Sequence, residues 1–168
     1  MSQLLNLFMR MWVLRANPQD LPVSRFLTQA LALTYIVVSV LSLSGQFGFL
    51  RAVVASIIDA TLLLAPVIAL LAISGFPERS DQTLSAILGA SILLVLMLLL
   101  SSALVSSRHS LQVAQLLLLA WYVLIFGHVL RQAVSLPVLL GAIFAFVYVM
   151  VSDGLIRALF MTSAGATG

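Results

Sequence analysis

The chain contains no cysteine and no lysine, and only 8% of its 168 residues are charged. Without cysteine there are no disulfides, zinc–thiolate sites, iron–sulfur clusters or thiol nucleophiles. Without lysine there is no Schiff-base chemistry on a side-chain amine. Scarce charge excludes a disordered chain, which needs high net charge and low hydrophobicity. The formal charge of +3 forms no basic patch, because the eight arginines are spread along the whole chain. A nucleic-acid-binding surface is therefore excluded.

What the sequence has instead is apolar residues, at 62%. Soluble domains run at about half apolar and about a quarter charged. A chain this short cannot bury that much apolar surface from water. The expected fold is all-α: a polytopic membrane bundle of transmembrane helices.

Charges divide the chain. Uncharged runs of at least 18 residues occupy 26–50, 60–77, 82–107, 109–130 and 132–152. A helix needs about 20 mostly apolar residues to cross about 30 Å of hydrocarbon. We therefore expect five spans, near 26–44, 52–74, 84–105, 111–130 and 133–152. The implied organisation is an N-terminal interfacial segment (1–25), a five-helix transmembrane domain (26–152) and a short C-terminal tail (153–168).

The connections carry turn chemistry. Ser24 is placed to cap the first span. Gly45 and Gly48 mark the first turn. Gly75 suits the end of the second span, and Pro77 follows as a stop. Ser80 or Asp81 is placed to cap the third. Ser106-Ser107-Arg108-His109-Ser110 forms a short hairpin. Ser135-Leu136-Pro137 suggests a last span starting at Pro137.

Residues 4–14 are apolar with a polar stripe at Gln3, Asn6 and Arg10, one face of a helix. Too short to span, the segment reads as an amphipathic helix lying on the membrane, with Trp12 at headgroup level. Nothing reads as a cleavable signal, since the first charge, Arg10, lies inside the apolar stretch. Arg10, Arg15, Arg25, Arg79 and Arg131 fall on the N-terminal side; Arg51, Arg108 and Arg157 fall opposite. The positive-inside rule then favours a cytoplasmic N-terminus. A bacterial inner membrane is the expected location.

Asp59 is the one carboxylate clearly inside an expected span. An ionisable group at that depth is a functional-site hypothesis by default, and it suits proton binding. Two structural alternatives stand beside it. The helix could begin near Ile57, making Asp59 a first-turn acid favoured by the helix dipole. Asp59 could also accept hydrogen bonds from serines of a neighbouring span. His128, three residues before Arg131, reads as an interfacial pair reaching headgroups, with a proton relay as the competing role. On the span assignment, Asp59 and His128 differ in depth by roughly 15 Å, too far for a direct bond. Pro66 should kink the second span.

Small residues at four-residue spacing mark packing faces: Ser56 and Ala60, Ala65 and Ala69, Ser85 and Gly89, Ala86 and Ala90, Gly141 and Ala145. Asp153 and Arg157 are spaced to pair on a helical extension. No G-x-S-x-G, H-E-x-x-H, P-loop or dinucleotide fingerprint occurs. The five carboxylates show no ligand spacing, so no metal and no cofactor are expected.

Two stretches carry a family resemblance. One is the polar loop entering the third span, Gly75-Phe76-Pro77-Glu78-Arg79, continuing through Thr83 and Ser85 to Gly89. The other is the fourth span from Trp121 through His128 to Arg131 and Ala133. With the amphipathic start, five close spans and short tail, they resemble the Yip (Ypt-interacting protein) domain family. They are also similar to small uncharacterised Gram-negative inner-membrane proteins of that layout. The aspartate-leucine-tyrosine-glycine-proline motif of eukaryotic members is missing; Asp59 and Pro66 echo it loosely. The resemblance therefore implies a five-span integral membrane protein without established catalysis, and a trafficking or GTPase-binding role is not carried over from it.

Together these readings give a non-enzymatic integral membrane protein that scaffolds or assembles other membrane components. Its expected partners are the lipid bilayer and other membrane proteins or further copies of itself. The alternative is a small ion-coupled transporter or permease subunit using Asp59.

Overall fold

The computed structural model describes residues 12, 19 and 21–161. Five long helices account for most of them: α1 (Arg25–Phe47), α2 (Phe49–Ile73), α3 (Ser80–Leu104), α4 (Arg108–Val134) and α5 (Val138–Met161). A short 3-10 turn, Pro77–Arg79, leads into α3. Helices of 23 to 27 residues rise roughly 35–40 Å, enough to cross the hydrocarbon. Their outer faces carry large apolar side chains, including Phe26, Ile73 and Leu104 at 80%, 86% and 78% exposure. A surface of that kind is stable against lipid and unstable against water. The five expected spans are present, and the chain is a multi-pass helical membrane protein.

The ends follow the chemistry of their residues. Ser24 Oγ accepts the Leu27 N–H at 3.2 Å and caps α1. Gly75 follows α2 at φ +80°, a conformation that glycine adopts without a Cβ clash. Phe76 N–H then bonds back to the Leu71 carbonyl at 2.9 Å, closing the end of the helix. Neither Ser80 nor Asp81 caps α3. Both lie in its first turn, where the Ser80 hydroxyl bonds the Pro77 carbonyl at 2.6 Å. The last span starts where Pro137 suggested rather than at Ala133. Ala133 stays in α4, Pro137 precedes α5, and the helix runs nine residues past 152. Asp153 and Arg157 pair at 2.8 Å on that extension, as expected from their spacing.

Short connections make successive helices antiparallel. We call the face where α1, α3 and α5 begin proximal, and the other face distal. The contacts close a ring in the order α3, α1, α2, α5, α4, and the α2–α5 seam is its sparsest side. α3 is the most enclosed element: 56% of its apolar stretch is buried, against at most 33% in the others. Its proximal half is buried nearly all round, from Thr83 to Ser91. Small residues allow this, because Ser85, Ala86, Gly89 and Ala90 let neighbouring backbones approach. α4 and α5 meet more closely still. A Cβ on Gly141 would lie 2.7 Å from the Gly127 carbonyl oxygen, and one on Gly127 would lie 2.8 Å from Ala142 N.

The expected N-terminal amphipathic helix falls outside the described residues, except for Trp12. Trp12 is half-buried against the core. Its carbonyl accepts the Trp121 indole N–H at 3.0 Å. Trp121 lies thirteen residues before the proximal end of α4, about 20 Å along the axis. Trp12 is therefore held beside the middle of α4, away from the headgroup level expected of it.

Candidate functional site

Asp59 lies ten residues inside α2, about 15 Å from its distal end. The helix starts at Phe49, which rules out the first-turn placement. Around the carboxylate the ring opens into a cavity of about 220 Å³.

Hydroxyls from two other helices surround the acid. Tyr35 OH on α1 donates to Oδ2. Tyr148 OH on α5 donates to Oδ1 at 2.9 Å, and Ser152 Oγ donates to the same oxygen. Among the described residues no arginine pairs with Asp59. Three neutral donors therefore do the work that water does for an exposed carboxylate. The third helical element is set from further round the ring: Tyr122 OH on α4 shares a 2.8 Å bond with Ser91 Oγ on α3.

All three tyrosines of the chain line this one cavity. The remaining wall is mixed. Ser39 and Ser42 continue the α1 face below Tyr35, and Leu94, Val95 and Leu98 continue the α3 face. Ile156 and Asp153 stand at the distal rim. Ser39 is only 5% exposed, and its buried hydroxyl has no hydrogen-bond partner. The titratable groups around Asp59 are thus Tyr35 from α1, Tyr122 from α4, and Tyr148 and Asp153 from α5. α3 contributes hydroxyl and apolar groups only.

On its lateral side the cavity has a neighbour. An apolar cleft of about 210 Å³ lies at the α2–α5 seam, lined by Leu62, Pro66, Phe144, Val147, Tyr148 and Val151. Tyr148 lines both spaces. Its ring stacks on Phe126 with centroids 6.2 Å apart, and its hydroxyl reaches Asp59.

The other candidate residues do not join the site. Pro66 is exposed on α2, which continues through it to Ile73, and it faces the apolar cleft. His128 is half-buried with an unpartnered Nε2, and it does not line the Asp59 cavity. Arg131 is exposed on the proximal turn of α4. The structure therefore brings Asp59 together with serine, as one structural alternative held, and adds the tyrosines, which charge-based reading passed over. A signal for them does exist. Tyr35 and Ser39, and Tyr148 and Ser152, repeat a Tyr-x-x-x-Ser spacing that puts two hydroxyls on one helical face.

No family model, curated protein or solved structure matches the chain. The chemistry of the site accordingly rests on its own geometry. Asp59 is the one enclosed carboxylate of the cavity, since Asp153 is exposed at the rim and paired with Arg157. A site with a single enclosed negative charge suits a proton or a monovalent cation. A divalent ion would leave a net charge buried, at high energetic cost.

Proposed function

We propose that the chain is a small ion-coupled membrane carrier, or the ion-binding subunit of one, in which Asp59 exchanges a proton for a monovalent cation. The observation that carries this reading is the Asp59 carboxylate at mid-span, clasped by three hydroxyls inside a cavity. As a carboxylate, Asp59 draws α1 and α5 onto α2 through charge-assisted bonds, which are stronger than neutral ones. Neutralising it weakens that clasp. Occupancy thereby biases the packing of three helices, which is what coupling requires.

A scaffolding role has less behind it. Four of the five small-residue pairs singled out in the sequence are buried within this chain. Their close packing is already satisfied, and only Ala65 and Ala69 face outward. The Yip-like kinship, the bacterial inner membrane and a cytoplasmic N-terminus remain part of the proposal on sequence grounds. With that orientation the cavity opens on the periplasmic side.

The test is reconstitution in liposomes holding a pH-sensitive dye, challenged with sodium, potassium or tetramethylammonium. Cation-driven proton movement that disappears in Asp59→Asn is the expected result. Movement of equal size in the variant, or none with any of the three ions, overturns the reading.

A further inference from the structure

The ion-exchange reading leaves open which cation the cavity takes, and the two adjoining spaces bear on that. We infer that the ligand is an amphipathic organic cation: a quaternary ammonium head held by Asp59 and the three tyrosines, with an alkyl chain in the α2–α5 cleft. This inference rests on the proposed role of Asp59.

Three features select that class. First, an enclosed carboxylate among three tyrosines is a composition suited to a quaternary ammonium, which is attracted by the charge and by aromatic side chains and donates no hydrogen bond. Tyr35 and Tyr148 reach this acid from two helices, and Tyr122 lines the same cavity from a third. Second, leucine, valine and isoleucine fill the gaps between the hydroxyls in the cavity wall. A bare metal ion gains nothing from such a lining, whereas methyl groups on a cation do. Third, the apolar cleft begins on the other side of Tyr148 and lies at the sparsest seam of the ring. A chain attached to the head has its nearest apolar exit there, directly into the lipid. Tyr148 is then the partition between head and chain, tethered by its bond to Asp59.

Charge complementarity favours this occupant over an anionic lipid. Both acids at the cavity, Asp59 and Asp153, oppose a phosphate, and the rim arginine, Arg157, is bonded to Asp153.

The full chain in lipid nanodiscs is titrated with labelled tetramethylammonium and octyltrimethylammonium, with binding to empty nanodiscs subtracted. Val147→Trp and Val151→Trp fill the cleft. Both positions are 52% exposed on the lipid side, so the fold tolerates the larger ring. The expected result is an octyltrimethylammonium affinity at least tenfold weaker in both variants, with tetramethylammonium unchanged within twofold. Asp59→Asn should weaken both ligands. If the plugs leave the octyl ligand unaffected, or weaken both ligands equally, the lateral chain site is wrong while the role of Asp59 stands. If Asp59→Asn leaves both ligands bound as before, the ion-exchange reading fails as well. Photolabelling by a tail-diazirine octyl ligand gives an independent check. Adducts on α2 and α5 near Leu62 and Val151 support the site, and adducts spread evenly over the outer faces overturn it.

Discussion

The proximal and distal halves of the bundle are built from similar residues and packed to opposite ends. In the proximal half, side chains tie neighbouring elements to each other's backbones. Gln82 donates to the carbonyls of Leu21 and Gln19 at 2.8 and 3.2 Å, and Arg79 to that of Ala133 at 3.1 Å. Thr28 shares a 2.9 Å bond with Ser85 and reaches the Asp81 carbonyl at 3.1 Å. Below them, Gly127 and Gly141 bring two backbones into contact. In the distal half the same five helices part around Asp59, and polar side chains turn towards a cavity instead. The contrast makes the proximal half a base and the distal half a vestibule. Stability should therefore be lost by changes to the base, and function by changes to the vestibule.

The largest effect expected on stability is at the glycine crossing. Gly141→Leu forces a side chain into the α4 backbone, where no flexible atom can give way. Overpacking of this kind costs about 1–3 kcal/mol and more when backbone must move. Denaturant unfolding in detergent should show a loss at or above the top of that range. A stability unchanged within error would mean that α4 and α5 are not in backbone contact, and the base would lose its main support.

Asp59→Asn should separate the two halves most clearly. The amide keeps one acceptor oxygen for the hydroxyl ring, so the fold should lose no more than about 1–2 kcal/mol, within the range for one altered hydrogen bond. Cation-driven proton movement should nevertheless fall to background. A variant that unfolds instead would make Asp59 a structural clasp and remove the distinction between base and vestibule.

That distinction was only half legible in the sequence. The spans could be read because the apolar runs lie between charges, and each run is long enough to cross a membrane. Ser24 and Gly75 were readable because caps and helix ends depend on local chemistry. The extension of α5 past 152 was readable too, because Asp153 and Arg157 are spaced one turn apart and pair on it, whereas its length to Met161 was not. Asp59 stood out by its charge. Serine was foreseen as a partner by type only and the tyrosines not at all, since Tyr35 is 24 residues away and Ser152 is 93. Neutral hydroxyls leave no mark on a charge map, and only the ring order of the helices brings them together.

A smaller effect distinguishes bonded from unbonded hydroxyl groups. Gln82→Ala removes two bonds to the connecting segment and should cost about 1–2 kcal/mol. Ser39→Ala removes a buried hydroxyl that has no partner. An unmet polar group is itself a burden, so the alanine variant should match or slightly exceed the wild type in stability. If Ser39 serves the bound cation, the same variant should bind it several-fold more weakly. Equal losses of stability in Gln82→Ala and Ser39→Ala would erase the difference between the halves at the level of single bonds.

The smallest expected effect lies at the rim of the vestibule. Arg157 and Asp153 are 57% and 56% exposed, so their pair is largely screened by solvent. Arg157→Ala should change stability by less than about 0.5 kcal/mol, the usual scale for a helical i,i+4 pair. It also unmasks the Asp153 carboxylate at the mouth of a cavity proposed to receive cations. Electrostatic attraction acts on the encounter rate more than on the bound state, and salt screens it. The variant should therefore take up tetramethylammonium faster than wild type at low ionic strength, and the two rates should converge as salt is raised. A slower variant at low salt would mean that Arg157 itself guides the ligand, and the charge assigned to the ligand would have to be reversed.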